Sequence, residues 1–330
     1  MMNKSFNVKR AAVAVMLILC MLMGAFGCTP EEPKETDPLD TPQDLQSEVG
    51  SESDGESMSE PESMSESDKE SETNEPTVDI GESLPKDKEY RILFIGNSYT
   101  YHNDMPSKFK AIARAGGYTV KVDTVTNGGH TLSAFASKSD EYGKIVHGRL
   151  SSGEKYDFVI MQEQSTRPVL SSSLFYTGAR ALYKMIVEAG ATPIFYSTWG
   201  RKTGHGTLSK YGWTNESMTW KLAAAYEAIG EELGVAVAHV GLAFYDIYAG
   251  RKGVELYNED KTHPSNAGSI LAALVLYSKI FNCNPLENTY TGTLYDSALE
   301  VIRTAAFDAV FNTPEIPSKY KTSSVGVGKN

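Results

Sequence analysis

From residue 90 onward, short apolar runs alternate with longer segments whose apolar positions recur every three or four residues. Residues 90–95, 118–125, 156–161, 192–196 and 235–240 read as five strands, mostly apolar along their length. Between them the spacing predicts helices. One opens near Pro106, with Asp104 placed to cap it and the proline suited to the first turn. A second covers 172–189 and stops at Gly190. A third, 214–233, sets Met218, Leu222, Tyr226, Ile229 and Leu233 on one face and ends at Gly234. A fourth, 265–281, buries Ile270, Leu274, Tyr277 and Phe281, and a terminal one, 294–311, aligns Leu294, Ala298, Val301 and Ala305. Apolar strands separated by helices indicate an α/β fold whose parallel sheet is covered on both faces. In such sheets the chemistry sits at the carboxyl ends of the strands.

The chain before residue 86 is of another kind. Lys4, Lys9 and Arg10 precede an apolar run over residues 11–26, sixteen residues long, which is short for a membrane span and fits an export signal. Its ending, Ala25-Phe26-Gly27-Cys28, resembles a bacterial lipobox, although Phe26 departs from the small residue usual there. The resemblance implies a signal over 1–27 and acylation of Cys28, hence an extracytoplasmic protein anchored to the membrane by lipid. Residues 28–85 carry nineteen acidic groups against two lysines, and little that is apolar. They cannot bury enough surface to offset ordering, and like charge keeps them extended, so they read as a disordered tether.

The net charge of −11 therefore belongs to the tether. Residues 86–330 hold 26 basic and 23 acidic groups, which excludes a strongly basic nucleic-acid-binding domain. Their length suits one large core, placed at 86–313, with 314–330 a polar, disordered tail. Only Cys283 remains after Cys20 and Cys28 are assigned to the signal and the lipid, so no disulfide framework exists and Cys283 reads as a buried thiol.

Four short stretches at strand ends carry candidate chemistry. Gly96-Asn97-Ser98-Tyr99-Thr100 follows the first strand, where a serine on a tight turn can present its hydroxyl and its N–H together. The same residues also make an ordinary turn. Asp260-Lys261-Thr262-His263-Pro264 precedes a helix and offers a general base with a carboxylate to orient it. The remaining histidines, His102, His130, His147, His205 and His239, have no aspartate three residues before them. The first four read as loop or surface residues, and His239 as a core residue of the fifth strand. Asn127-Gly128-Gly129-His130-Thr131 and Gln162-Glu163-Gln164-Ser165 follow the second and third strands, offering a glycine N–H and a side-chain amide.

In this order the four stretches resemble the SGNH hydrolases, or GDSL esterase superfamily. The resemblance implies a three-layer α/β/α sandwich with a flavodoxin-like parallel five-stranded sheet, and no metal or organic cofactor. It implies Ser98 as nucleophile, with Asp260 and His263 completing the triad. It implies an oxyanion hole from the N–H groups of Ser98 and Gly129, Gly128 being second choice, and from Gln164 at the family's asparagine position. This chain departs from the family in having Asn97 for aspartate, and in a third block without its glycine or asparagine, so Gln162 stands as the other candidate donor.

All three tryptophans, Trp199, Trp213 and Trp220, fall in one stretch after the fourth strand, with His205 and Tyr211. Gln162, Trp199, His205 and Trp213 are the expected substrate contacts; the alternative is that Trp213 and Trp220 anchor the next helix. The expected activity is hydrolysis of carboxylic esters, of the O-acetyl kind on a small molecule or polysaccharide. A longer-chain lipase or thioesterase, and a non-catalytic glycan-binding lipoprotein, are the alternatives.

Overall fold

Successive residues of a strand face opposite sides of the pleat, and here that alternation divides the interior into two cores. The computed structural model describes residues 80–321 apart from Arg251. Its strands are β1 (Glu89–Gly96), β2 (Thr119–Thr126), β3 (Phe158–Met161), β4 (Thr192–Tyr196) and β5 (Ala236–Ala238). They lie in the order β2-β1-β3-β4-β5, and every neighbouring pair is parallel. Ile92, Phe94, Ile160, Ile194 and Tyr196 point into one core, while Leu93, Ile95, Val159, Met161 and Phe195 point into the other.

Seven longer helices cover the sheet: α1 (Met105–Ala115), α2 (Glu141–Ser151), α3 (Ser172–Glu188), α4 (Asn215–Leu233), α5 (Val240–Ala249), α6 (Asn266–Phe281) and α7 (Asp296–Phe311). Residues of α1, α5, α6 and α7 fill the first core, and those of α2, α3 and α4 the second. The result is the expected three-layer sandwich, with the flavodoxin-like strand order. The direction of strand succession reverses between β1 and β3, which opens a crevice at their carboxyl ends.

Most boundaries follow from local chemistry. Thr214 and Ser217 cap each other's backbone at the start of α4, and Gly234 ends it in the left-handed conformation at φ +64°. Three expectations are corrected, and one helix had not been foreseen. Asp104 sits before α1 at φ +53° and its side chain makes no capping bond. Helix α2 has only Gly143 and Val146 buried, too thin a stripe to announce itself. Strand β5 stops at Ala238, and Val240 opens α5 instead of closing the strand, because a continuous apolar run suits a buried helix as well as a strand. The buried stripe of α7 is Leu299, Ile302, Ala305, Ala306 and Ala309, one position on from the expected face.

Order also extends past both expected domain limits. Leu84 N donates to the Phe281 carbonyl at 3.0 Å, the hydroxyls of Tyr118 and Tyr90 donate to the carbonyls of Leu84 and Pro85, and the Asn282 amide holds the carbonyls of Ile80 and Glu82. At the other end Ile316 and Tyr320 pack against the cluster of Trp220 and Leu242. Cys283 is buried and free beside the Tyr118 hydroxyl, as expected. The export signal, Cys28, residues 28–79 of the tether and residues 322–330 lie outside the described residues.

Candidate active site

Strand β1 ends in a turn that only glycine permits. A Cβ on Gly96 would fall 2.3 Å from Thr100 Oγ1 and 2.7 Å from Gln162 Oε1. Asn97 then leaves the strand, and its side-chain carbonyl accepts from Tyr99 N at 3.2 Å, starting the one-turn helix Ser98–Tyr101. Ser98 is the first residue of that turn, where a backbone N–H has no acceptor within the helix. Gln162, wholly buried, braces the turn from below: its Oε1 accepts from Asn97 N at 2.8 Å and from Thr100 Oγ1 at 2.9 Å. Its Nε2 donates to the Glu163 carbonyl. Wholly buried, with Oε1 held under the serine turn and Nε2 turned onto the Glu163 carbonyl, Gln162 does not reach open surface, contrary to the expectation from its position.

His263 arrives on a loop closed by an antiparallel bridge between Tyr257 and Pro264 and by Asn258 N donating to the His263 carbonyl. Lys261 takes the left-handed conformation at φ +61°, which turns the chain between Asp260 and His263. Asp260 Oδ1 accepts from the N–H groups of Thr262 and His263, each at 2.9 Å, and its Oδ2 lies 2.5 Å from His263 Nδ1. His263 Nε2 lies 2.8 Å from Ser98 Oγ. With its Nδ1–H given to the carboxylate, the imidazole presents Nε2 as acceptor for the serine hydroxyl. Burial works to raise the Asp260 pKa, but the bonds from the His263 ring and from the two N–H groups outweigh it and hold the carboxyl at about 2. It is an anion at any pH at which the protein would work. His102 packs against the His263 ring at 4.2 Å between centroids, and burial first, then His263 itself, hold its pKa below the usual histidine range.

Gly129 follows β2 at φ +68°, exposed, and among the described residues its N–H has no acceptor. Nothing lies within 4 Å of where its Cβ would be, so the backbone conformation, rather than crowding, calls for glycine. The Asn97 amide donates to the His130 carbonyl at 3.1 Å, tying this loop to the serine turn. His130 itself is structural, between Asn127 and Asp140. Glu163 joins the loop to the end of β3, accepting from Leu132 N at 3.3 Å and from Gln164 N at 2.6 Å. Burial pushes its carboxyl up to about 7. Gln164 Oε1 accepts from Thr166 N, Thr166 Oγ1 and Arg167 N at 2.9–3.1 Å, fixing the turn into the short helix Arg167–Leu170. Its Nε2 makes one long bond, 3.4 Å to Ser165 Oγ, and its second amide hydrogen stays free on a residue that is half-buried, where Gln162 is wholly buried.

The aromatic residues divide differently from expectation. Trp199 is wholly buried, stacked between Tyr99 at 4.4 Å and Phe244 at 4.1 Å, and its Nε1 donates to the Thr262 carbonyl at 3.0 Å. It supports the histidine loop and offers no face to substrate. Trp220 is also buried, while Trp213 is half-buried and stacks on the exposed Tyr211 at 4.9 Å. His205 Nδ1 accepts from Thr207 N and caps the helix Gly206–Tyr211. His239, past the end of β5, pairs through Nε2 with Glu227 at 2.8 Å, and its Nδ1 has no partner among the described residues. Sequence reasoning missed Arg201, because an arginine after a strand belongs to no recognisable pattern. Its guanidinium donates to Tyr99 Oη at 2.7 Å and to Ser165 Oγ at 2.8 Å.

Ser98, His263 and Asp260, the three residues so joined, lie at the carboxyl ends of the strands. Two open grooves of about 460 and 470 Å³, lined by residues such as Phe158 and Thr192, lie at the amino-terminal ends and contain none of the three. No protein-family model matches the chain, and no curated protein matches it. Among solved structures, a protein of Slackia heliotrinireducens assigned as an SGNH hydrolase is 31% identical; the match covers 58% of this chain and 98% of that one, with a TM-score of 0.51. A DUF4886 family protein from Bacteroides uniformis shares the fold with a TM-score of 0.60, over 72% of this chain and 98% of its own, at 17% identity.

Proposed function

The chain belongs to the SGNH hydrolase superfamily, and on that basis we propose that it is a serine esterase that removes acyl groups from carbohydrate, exported and held to the membrane by lipid on Cys28. One observation carries the catalytic reading: Ser98 Oγ, His263 and Asp260 stand in line at 2.8 and 2.5 Å. His263 Nε2 takes the hydroxyl proton as Ser98 Oγ bonds to the ester carbonyl carbon. The carbonyl electrons move to oxygen, which the N–H groups of Ser98 and Gly129 and the Gln164 amide stabilise. The intermediate collapses, the bond to the alcohol breaks, and the alcohol leaves with the proton from His263. Water then gives its proton to His263 and attacks the acyl-enzyme, releasing the acid and restoring Ser98. Asp260 remains charged and stabilises the imidazolium formed in each half.

The sugar part of the reading rests on Tyr211 and Trp213, a stacked pair with open surface on the loop after β4. Export rests on residues 1–28 of the sequence.

The test is hydrolysis of an aryl acetate, with an aryl octanoate in parallel. The Ser98→Ala variant is expected to lose on the order of 10⁴–10⁶ in turnover. Hydrolysis unchanged in that variant contradicts the nucleophile, and preference for octanoate moves the substrate to longer acyl chains.

A further inference from the structure

Arg201 occupies the middle of the site without belonging to the triad or the oxyanion hole. Its Nη1 donates to the hydroxyl of Tyr99, the residue after the nucleophile, and its Nη2 to the hydroxyl of Ser165, the residue after Gln164. The Tyr99 hydroxyl in turn lies 2.7 Å from Thr262 Oγ1, the residue before His263. One guanidinium thus touches, directly or through one hydroxyl, the neighbours of three site residues. Its loop is joined to the histidine loop as well, by Lys202 N donating to the Lys261 carbonyl and Trp199 Nε1 to that of Thr262.

What this cation lacks is a counter-ion. Among the described residues Arg201 makes no ion pair, and its Nε is buried without a partner. The carboxylates of the neighbourhood are committed elsewhere: Asp260 to His263, Glu255 to Lys202, and Glu163 to the N–H groups of Leu132 and Gln164. Lys261, on the facing loop, adds a second cation that makes no ion pair among the described residues, where its one bond is at 3.4 Å to the Gly204 carbonyl. Burial first, then Arg201, depress the pKa of His205, Asp260 opposes them, and Lys261 adds a smaller depression. Bracing two neutral hydroxyls does not need a charge, and withdrawing a charge from water without a partner is unfavourable. Each Nη atom spends one hydrogen on a hydroxyl and keeps another.

We infer that Arg201 is the anion subsite of this active centre, and that the substrate is an ester carrying a carboxylate close to the scissile carbonyl. The inference rests on the esterase reading and narrows it to acidic substrates, such as an acylated sugar acid. Arginine is suited to this role because its donors are fixed in a plane that matches a carboxylate.

Two matched pairs of esters test it. In 4-acetoxybenzoate and its methyl ester the charge is on the alcohol side; in 4-nitrophenyl hydrogen adipate and 4-nitrophenyl methyl adipate it is on the acyl side. The quantity read is the ratio of kcat/KM for the charged and neutral member, in the wild type and in Arg201→Gln, so that intrinsic reactivity cancels. In one pair the ratio is expected to fall about tenfold or more in the variant, the scale of a charge-assisted hydrogen bond, and that pair identifies the side. Equal ratios in both pairs overturn the subsite, whatever the absolute rates, because a purely structural arginine would slow both members alike. Should Arg201→Gln not fold, the wild type decides: salt raises KM for the charged ester alone, and an equal response of both members overturns the inference. Should no ester be cleaved, the esterase reading fails separately. Calorimetric titration of the same charged esters then reads the subsite, saturable heat supporting it and its absence overturning it.

Discussion

Glu163 shows how much one side chain can be asked to do at the rim of such a site. Its carboxyl is wholly buried and accepts from two backbone N–H groups that belong to different loops, the one carrying Gly129 and the one carrying Gln164. Burial dominates and pushes it up to about 7, above the ordinary 4.5. A carboxyl whose pKa is raised by folding stabilises the fold fully below its unfolded value, and that contribution is lost as pH rises through the folded value. Between pH 5 and 8 the wild type is therefore expected to lose stability relative to Glu163→Gln, on the order of 2–3 kcal/mol. Denaturant unfolding at both pH values checks this, and parallel behaviour of the two proteins contradicts it. Asp260 has the opposite sign, held at about 2, so its bonds are kept throughout that range.

Ser98, Asp260 and His263 were singled out at this scale because the order of their short motifs along the chain resembles a known family, and the structure brings the three side chains together. The two glutamines were not told apart, since a strand end tells which residue is an amide but not where the amide points. Gln162 turns inward to brace Asn97, and Gln164 keeps a donor free.

At the scale of elements, the site depends on how the β4 loop is clamped between the serine turn and α5. Trp199 is the clamp, lying parallel to Tyr99 on one side and to Phe244 of α5 on the other, with its indole N–H on the loop of His263. Trp199→Ala is expected to cost about 3–5 kcal/mol, as for other large aromatic truncations in cores, and to slow acetate hydrolysis as the histidine loop loosens. Thermal unfolding and steady-state kinetics on one preparation check both. Unchanged stability would mean that the stack is not what holds the loop. The pattern of apolar residues revealed the strands well because both faces of this sheet are buried. It did not reveal α5, whose residues continue the apolar run of β5, nor the orientation of Trp199, because burial of an aromatic in a loop depends on partners distant in sequence.

At the scale of the whole molecule, parallel strands in the order β2-β1-β3-β4-β5 bring Ser98, Gln164 and Arg201 to the carboxyl ends of the sheet. Ser98 follows β1 and Gln164 follows β3, on either side of the crevice where the succession of strands reverses, and the histidine loop closes over it. The domain limits were less legible than the topology. Composition marks residues 80–85 as tether, yet their backbone is bonded to Phe281, Asn282 and Tyr118, because a polar segment with few apolar groups can still be held by carbonyls. If Ser98 is an activated nucleophile, covalent trapping detects it without any assumption about substrate. An alkyl fluorophosphonate incubated with the folded protein, followed by peptide mass spectrometry, is expected to place one phosphonyl group per chain on Ser98, and none on the protein when His263 is replaced by alanine. A folded protein left unlabelled, or labelled at another residue, would rule out Ser98 as the nucleophile.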